Sequence, residues 1–292
     1  MHLLSLMNWK PEELKEVLRL SSGMRGKLTE DLRGKTAALL FEKPSTRTRV
    51  SFEVGIFQMG GYPLYMDAST TQLSRGETVR DMALVMSRYV DLFIARVYSH
   101  SFLEEFARWS SIPVINALSD RFHPCQALAD VLTMEEKKTG KLKVAFVGDG
   151  NNNVTHSLML AACMLGHEVW VGCPKKYAPE KDVVKAAGNV VVTEDPVEAV
   201  DDADVVYTDV WVSMGREDRE ERLEAFKEYQ VNSRLVSHAK KNYIFMHCLP
   251  AHIGQEVTED VIYSKNSVVF DQAENRLHAQ KGLIRYLMRK QI

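Results

Sequence analysis

Continuous apolar runs that alternate with helical patterns are the feature of this sequence that most constrains its fold. Most of these runs are apolar at every position, which is typical of parallel strands covered on both faces. Helical segments separate the runs, so the chain predicts a repeated strand–helix order. The predicted strands span Lys35–Phe41, Tyr62–Asp67, Leu92–Val97, Val114–Asn116, Lys143–Gly148, Glu168–Cys173, Val190–Thr193, Val205–Thr208, Tyr243–His247 and Val268–Asp271.

The strands form two series, because a long helical pattern from about His123 to Lys138 separates the fourth from the fifth. We therefore predict an α/β protein with two doubly wound parallel-sheet domains linked by helices, comprising residues 1–138 and 139–272. The last helix, within 273–292, is a candidate to pack back on the first domain. Ligands of such folds bind at the carboxyl ends of the strands, so we expect the active site in the cleft between the domains.

Composition excludes several classes of function. The 292 residues carry a formal net charge of −2, which gives no electrostatic case for a nucleic-acid or membrane partner. No apolar run approaches the ~20 residues of a membrane helix, and the first residues do not resemble a signal peptide. The four cysteines have no paired spacing, which indicates reduced thiols and a cytoplasmic location.

A dense group of hydroxyl and guanidinium side chains follows the first predicted strand, where Pro44 ends it and a helix begins. A helix N-terminus offers unpaired N–H groups and the positive end of a dipole, so it favours an anion. Arginine binds phosphate oxygens two at a time. An ordinary capped helix with solvated arginines is the alternative, but the density favours a phosphate site. The residues are Ser45, Thr46, Arg47, Thr48 and Arg49.

Other strand ends also carry polar or reactive groups. Arg96 ends one predicted strand, Asp209 follows another, and His247 with Cys248 ends a third. His123 opens the long helix. Because the carboxyl ends of parallel strands share one edge of a sheet, these side chains are predicted to form a functional site.

The run Gly148-Asp149-Gly150 before a helix has the first two glycines of a dinucleotide-binding motif. Asn153 stands where the third glycine belongs, and no acidic residue follows the next strand to bind a ribose. We therefore expect no nicotinamide cofactor. The asparagines of this run suit a small polar group such as a carboxylate.

Metal binding has little support in the sequence. None of the nine histidines is spaced as H-x-x-x-H, and no second pair of ligands accompanies His247 and Cys248. We expect neither a metal nor a cofactor.

Four motifs resemble those of the aspartate and ornithine carbamoyltransferases, and the resemblance extends over nearly the whole chain. Two motifs resemble the carbamoyl-phosphate half that the family shares, and two resemble the ornithine branch, because aspartate enzymes typically show H-P-L-P-R in place of H-C-L-P. The motifs are Ser45-Thr46-Arg47-Thr48-Arg49, His123-Pro124-Cys125-Gln126, Asp209-Val210-Trp211-Val212-Ser213-Met214-Gly215 and His247-Cys248-Leu249-Pro250.

The resemblance implies a reaction in which carbamoyl phosphate and L-ornithine give L-citrulline and phosphate, as in arginine biosynthesis. The same site serves the reverse reaction of arginine breakdown, and the sequence leaves the direction open. It also implies a homotrimer or an assembly of trimers. Two other functions stay open: carbamoyl transfer to another amine or amino acid, and a regulator that binds phosphate or an amino acid without turnover.

By the same resemblance, residues 1–138 would bind carbamoyl phosphate. Arg96, His123 and Thr48 would surround the carbamoyl oxygen, and Gln126 would hold the carbamoyl amide. Gln72 would come from the loop after the second strand, of the same or a neighbouring subunit. The full set of implied carbamoyl-phosphate ligands is Ser45, Thr46, Arg47, Thr48, Arg49, Gln72, Arg96, His123, Pro124, Cys125, Gln126 and Arg276.

Residues 139–272 would bind ornithine. Asp209 and Ser213 would meet the α-amino group, and the α-carboxylate would lie near Asn153, with Asn152 as the alternative, and the Met214 backbone. The loop 212–216 is a candidate lid. Cys248 and Leu249 would line the site of the side-chain amine, and the implied catalytic residues are Thr48, Arg96, His123 and Cys248.

Overall fold

The computed structural model describes residues 1–212 and 218–290, and all strand pairs within its two sheets are parallel. The strands are β1 Thr36–Phe41, β2 Tyr62–Asp67, β3 Leu92–Arg96, β4 Val114–Leu118, β5 Lys143–Val147, β6 Glu168–Gly172, β7 Val190–Thr193, β8 Val205–Thr208 and β9 Ile244–His247. The helices are α1 Pro11–Gly23, α2 Thr46–Gln58, α3 Val79–Tyr89, α4 His100–Trp109, α5 Pro124–Lys137, α6 Asn153–Met164, α7 Lys181–Ala187, α8 Pro196–Val200, α9 Arg219–Ala225, α10 Ser233–Val236, α11 Glu259–Ile262 and α12 Val269–Arg289.

The first sheet has the strand order β2-β1-β3-β4. Its central strands β1 and β3 are almost entirely buried, as their continuous apolar sequences predict. From β1 the chain continues to β2 on one side, and from β3 it continues to β4 on the other side. The gap between β1 and β3 is therefore a topological switch point. Phe41 pairs with Arg96 there, so the chain leaves both strands at the same level.

The second sheet has the order β7-β6-β5-β8-β9, and its switch point lies between β5 and β8. Thr208 at the end of β8 pairs with His247 at the end of β9. The residues after Val147, Thr208 and His247 therefore emerge along one edge of this sheet. The prediction of two doubly wound parallel α/β sheets is confirmed.

The chain divides into two compact units, Met1–Leu132 with Asn275–Ile292, and Thr133–Glu274. The sequence prediction placed the boundaries at 138/139 and 272/273. Helices α5 and α12 each contribute residues to both units. We refer to Met1–Leu132 with Asn275–Ile292 as unit 1 and to Thr133–Glu274 as unit 2.

The predicted strand Val268–Asp271 is wrong, because α12 begins at Val269. Val268 and Val269 are buried, whereas Phe270 is 66% exposed, so the short apolar run does not enter a sheet. Among the described residues, backbone pairing in this region consists of an isolated bridge between Ser267 and Phe245. A short apolar run that precedes a helical pattern cannot be assigned by periodicity alone.

The C-terminal residues complete the core of unit 1. A Cβ atom at Gly282 would lie 2.2 Å from the Ser21 hydroxyl, so glycine permits the close approach of α12 to α1. Lys281 is fully buried and donates to the carbonyls of Met24 and Lys27 and to the side chain of Gln58. The end of α1 is thereby held by the last helix of the chain.

Among the described residues, no helix combines the length and the apolar character that crossing a membrane requires. Within the same residues, none of the four cysteines forms a disulfide.

Candidate active site

The N-terminus of α2 follows β1 at the switch point of unit 1. Ser45 is the N-cap residue, and its hydroxyl oxygen accepts the backbone N–H of Thr48 at 3.3 Å. Thr46 and Arg47 are exposed in the first turn, whereas Thr48 is 1% exposed. The cap thus fixes a helix end whose remaining N–H groups and positive dipole can bind an anion.

Arg276 brings three of the predicted carbamoyl-phosphate residues together. Its Nη1 donates to the Gln126 side-chain oxygen at 2.6 Å, and its Nη2 donates to the Thr48 hydroxyl at 3.1 Å. Gln126 in turn donates from Nε2 to Asp130 at 2.8 Å. All four side chains are buried, so residues from α2, α5 and α12 form one network in unit 1.

His123 lies in the electrostatic field of two guanidinium groups. Burial lowers the pKa of its imidazole well below the ordinary value, and the nearby cations Arg276 and Arg96 lower it further. The imidazole is therefore neutral at pH 7 and can donate one hydrogen bond without adding charge. The two arginines supply positive charge that can attract an anion.

The structure gives some predicted ligands other partners or places. The Arg49 guanidinium donates to Glu53 at 2.9 Å and lies 3.7 Å from the centre of the Tyr65 ring, between α2 and β2. The Cys125 thiol donates to the Asn116 carbonyl at 3.3 Å, and burial raises its pKa to about 12, so this sulfur is an inert part of the core. Pro124 is the first residue of α5.

Gln72 lies in a 3-10 turn that follows β2. It lines a surface cavity of about 610 Å³ together with Asp67, Thr71 and Met86. A role for Gln72 in carbamoyl-phosphate binding remains a prediction.

The loop after β5 leads to Asn152 and Asn153, the residues that were predicted to bind the carboxylate of ornithine. Asn152 caps α6, since its Oδ1 accepts the Thr155 N–H at 2.8 Å, and its Nδ2 donates to the Asp149 carbonyl at 3.0 Å. Asn153 is the first residue of α6. A Cβ atom at Gly150 would lie 2.7 Å from the Tyr177 carbonyl, so the second glycine of G-x-G serves a close backbone contact.

Asp209 follows β8 and is 8% exposed. Its Oδ1 accepts the Cys248 thiol at 2.9 Å and the Val210 N–H at 2.8 Å. Burial raises the pKa of the Asp209 carboxyl, an effect that nearby His247 and the bond from Cys248 partly offset. The carboxylate is therefore a poorly solvated negative charge, which strengthens its attraction for a cationic group.

A buried carboxylate that the sequence analysis missed orders the turn after β9. Glu256 is fully buried, and its Oε1 lies 3.2 Å from His247 Nε2 and accepts the His252 N–H at 2.6 Å. His247 Nδ1 accepts the Leu249 N–H at 2.8 Å, so Nε2 carries the ring proton. Leu249 has a φ of 56°, which this network supports.

Asp209, His247 and Cys248 offer possible metal ligands within 4.8 Å of one another. However, the two ring nitrogens of His247 are engaged with Leu249 and Glu256, and the Cys248 thiol proton lies on Asp209. A metal ion that binds both His247 and Cys248 would have to displace one hydrogen bond of each residue. The donor set fits a hydrogen-bonded acid–thiol pair better than a metal centre. The predicted ornithine ligands Ser213 and Met214, and the rest of the predicted lid 212–216 beyond Val212, lie outside the described residues.

Two family models cover most of the chain. The model described as "Aspartate/ornithine carbamoyltransferase, carbamoyl-P binding domain" matches residues 1–136. The model described as "Aspartate/ornithine carbamoyltransferase, Asp/Orn binding domain" matches residues 140–287.

Individual relatives and solved structures agree with the family models. The chain is 55% identical over 303 residues to an ornithine carbamoyltransferase of Thermococcus kodakarensis, with 98% of this chain and 96% of the relative covered. It is 53% identical over 302 residues to the "ornithine carbamoyltransferase, anabolic" of Pyrococcus furiosus, with 98% and 96% covered. The structure of ornithine carbamoyltransferase from P. furiosus superposes with a TM-score of 0.94 at 52% identity, covering 99% of this chain and 97% of that one. With its two halves matched in order, the chain belongs to the aspartate/ornithine carbamoyltransferase family.

Proposed function

We propose that this protein transfers the carbamoyl group of carbamoyl phosphate to the side-chain amine of L-ornithine, giving L-citrulline and phosphate. The observation that carries the choice of acceptor is the buried Asp209 carboxylate, which accepts the Cys248 thiol. A carboxylate at this place attracts the amino groups of ornithine and repels the second carboxylate of aspartate. The names of the relatives from T. kodakarensis and P. furiosus support the same acceptor.

Carbamoyl phosphate is assigned to unit 1. The N-terminus of α2, with Ser45, Thr46, Arg47 and Thr48, would hold the phosphate. Neutral His123 and the cations Arg96 and Arg276 would point donors at the carbamoyl oxygen, where negative charge grows during attack. Each such donor contributes about 2.7–4 kcal/mol in enzymes where one has been removed. Phosphate is a good leaving group, so charge stabilisation and positioning are the main requirements.

Gln126 would bind the carbamoyl amide. Its Oε1 accepts from Arg276 and its Nε2 donates to Asp130, so both ends of the amide are oriented before substrate binds. A preoriented oxygen can accept the carbamoyl N–H, which distinguishes this group from an acyl group without a donor.

Ornithine is assigned to unit 2. Asp209 would bind the α-amino group, with Ser213 and the Met214 backbone completing this end of the site. Asn153 is favoured over Asn152 as the carboxylate ligand, because the Asn152 side chain is used in capping α6.

The attacking amine has to be neutral, although an unperturbed alkyl ammonium has a pKa of about 10.4. Leu249 offers an apolar wall that disfavours the charged form, and Cys248 offers a polarizable partner that orients the amine. Holding the amine against the carbonyl carbon contributes up to about 7–11 kcal/mol in favourable cases.

The proposal includes a homotrimer or an assembly of trimers in the cytoplasm, working in arginine biosynthesis. An exposed apolar row on α2 and the edge strand β2 supports contact between copies: Val50 is 50% exposed, Phe57 72% and Tyr62 62%. A neighbouring copy on this side would also be close to Gln72, which follows β2. The anabolic direction agrees with the name of the P. furiosus relative.

The test is a citrulline assay with carbamoyl phosphate, in which ornithine, acetylornithine, putrescine and aspartate are offered in parallel. We expect turnover with ornithine and release of one phosphate per citrulline. Turnover with another acceptor only would overturn the assignment of unit 2 and leave that of unit 1. Binding of carbamoyl phosphate without turnover of any acceptor would replace the enzyme with a non-catalytic binding protein.

A further inference from the structure

A buried arginine on the short helix α9 joins two loops that carry predicted ornithine ligands. Arg222 is 2% exposed, and its Nε donates to the Trp211 carbonyl at 2.7 Å. Its Nη2 forms an ion pair with the carboxylate of Asp149. Trp211 follows β8 and Asp149 follows β5, so a single guanidinium bridges the two strands that flank the switch point of unit 2.

On the β5 side, Asp149 passes this constraint to the start of α6. Its Oδ1 accepts the Asn151 N–H at 3.0 Å. Its backbone carbonyl accepts the side chains of Asn152 at 3.0 Å and Thr155 at 2.8 Å. The carboxylate held by Arg222 therefore belongs to the residue that organises the turn leading into Asn153.

On the β8 side, Trp211 lies two residues beyond Asp209. Its indole packs over the end of β5, since a Cβ atom at Gly148 would lie 3.6 Å from its Nε1. The carbonyl bonded to Arg222 thus anchors the backbone that carries Asp209 away from the sheet.

The guanidinium itself has little freedom. Its carbon lies 4.7 Å from the centre of the Tyr177 ring and 5.4 Å from that of Phe226, and Nη1 lies 3.7 Å from Asp218. Arginine provides donors in several fixed directions, whereas lysine has one compact ammonium group. The backbone carbonyl and the carboxylate need this fork to be held at the same time.

We propose that Arg222 is a positioning residue that sets the distance between Asn153 and Asp209, and thereby selects an acceptor that carries an amino group and a carboxylate on one carbon. This inference rests on the proposed function. The two groups of an α-amino acid have a fixed separation, so two loops can bind both only if their own separation is fixed. An error of about 1 Å in such an arrangement can reduce turnover by about a hundredfold.

The test compares Arg222→Lys, Arg222→Met and the double variant Arg222→Met/Asp149→Asn with the wild-type enzyme. The double variant removes both buried charges while an oxygen remains to accept the Asn151 N–H. It therefore relieves the cost of a lone buried ion without restoring the bridge between the loops. Arg219→Met on the exposed side of α9 is the matched control. The measurements are KM and kcat for ornithine, Kd for carbamoyl phosphate, and Tm.

We expect KM for ornithine to rise about tenfold to a hundredfold in the three Arg222 variants, with Kd for carbamoyl phosphate within about twofold of wild type. The double variant should regain Tm relative to Arg222→Met but not the KM. If the double variant recovers both KM for ornithine and Tm, Arg222 only supports the fold. The same conclusion would follow if the variants weaken the binding of ornithine and of carbamoyl phosphate equally. If Arg222→Met does not fold, the lysine and double variants decide the question.

Putrescine lacks the α-carboxylate and provides a second measure of the same effect. The ratio of kcat/KM for ornithine to that for putrescine should fall in the Arg222 variants, whereas an unchanged ratio contradicts the proposal. Wild-type enzyme that does not turn over ornithine would refute the proposed function itself, independently of any variant.

Discussion

The predicted sites of the two units have buried groups of opposite charge, cationic in unit 1 and anionic in unit 2. In unit 1, burial beside Arg96 and Arg276 lowers the pKa of a base, His123, so that the site is positive without needing a protonated histidine. In unit 2, burial raises the pKa of an acid, Asp209. Each site holds a poorly solvated charge opposite to that of its proposed substrate, which makes the interaction stronger than it would be in water.

The two sites also differ in how their side chains are held. In unit 1 a guanidinium from α12 directly bonds the residues of two other helices, through Thr48 and Gln126. In unit 2 the predicted ligands lie in loops or next to them, and Arg222 and Glu256 bond to backbone groups of these loops. Substitutions in unit 1 should therefore change substrate binding and the stabilisation of the developing charge together. Substitutions in unit 2 should change ornithine binding and the free energy of unfolding independently.

Arg276→Met should have the largest effect. It removes the donors to Thr48 and Gln126 and one cation of the proposed oxyanion site, so we expect kcat to fall by about 10²–10³-fold. Steady-state assays should also show a higher KM for carbamoyl phosphate. Arg285→Met, on the same helix but paired with Asp31, is the control. A similar loss in both variants would mean that α12 acts only through the fold.

Asp209→Asn should weaken ornithine binding and stabilise the protein. Loss of a charged hydrogen-bond partner costs about 1.5–3 kcal/mol, which is roughly a 10–150-fold increase in KM. Because the folded-state pKa of Asp209 is raised, its ionised form destabilises the fold at pH 7. Urea unfolding should therefore give Asp209→Asn the higher free energy of unfolding at pH 7, with the difference shrinking as pH falls to the unfolded-state pKa. A less stable variant at pH 7 would contradict this account.

A smaller contrast is expected within the S-T-R-T-R motif. The Arg49 guanidinium is engaged with Glu53 and Tyr65, whereas Arg47 is exposed in the first turn of α2. Arg47→Gln should raise KM for carbamoyl phosphate about tenfold or more, through loss of a charged bond to phosphate. Arg49→Gln should change it less than about threefold, since a partly exposed ion pair is worth about 1 kcal/mol at most. Equal effects would support the prediction that Arg49 also binds phosphate.

The smallest effect concerns pH and His123. The pKa of His123 is lowered in the folded state, so the unfolded chain binds this proton more readily. The free energy of unfolding should therefore fall as pH drops below the unfolded-state pKa of about 6.5, by at most about 1.4 kcal/mol per pH unit for this group. Subtracting the pH profile of His123→Asn isolates the contribution. A difference between the two profiles that does not change below pH 6.5 would show that His123 is not held neutral by its surroundings.

Sequence analysis predicted the sheets well, because central strands such as β1, β3 and β8 are buried on both faces and therefore apolar along their length. It failed at Val268–Asp271, where two apolar residues begin a helix instead of a strand. The difference depends on tertiary packing: Val269 enters the core and Phe270 does not. A run this short carries no period from which that outcome could be predicted.

The structure shows the hydrogen-bond partners of the predicted site residues, whose substrate contacts stay a prediction. The motifs include Thr48 and Gln126, which the structure joins through Arg276, a residue that only the family resemblance implied. The same motif reasoning included Arg49, whose guanidinium donates to Glu53. Arg222 and Asp149 went unrecognised as a pair, since 73 positions separate them and a charged residue on a short helix usually faces solvent. Glu256 was missed for the same reason: only the fold shows that it is buried.

The division of unit 1 between the two ends of the chain has a consequence for biosynthesis. Residues up to Leu132 leave the ribosome well before Asn275, because the whole of unit 2 is translated in between. At about 5–20 residues per second, this delay is on the order of ten seconds. Until α12 is complete, Thr48 and Gln126 lack Arg276, and the end of α1 lacks Lys281. We therefore expect unit 2 to fold before unit 1 is complete. Unit 1 can complete its network of Thr48, Gln126 and Arg276 only after the last helix has been translated.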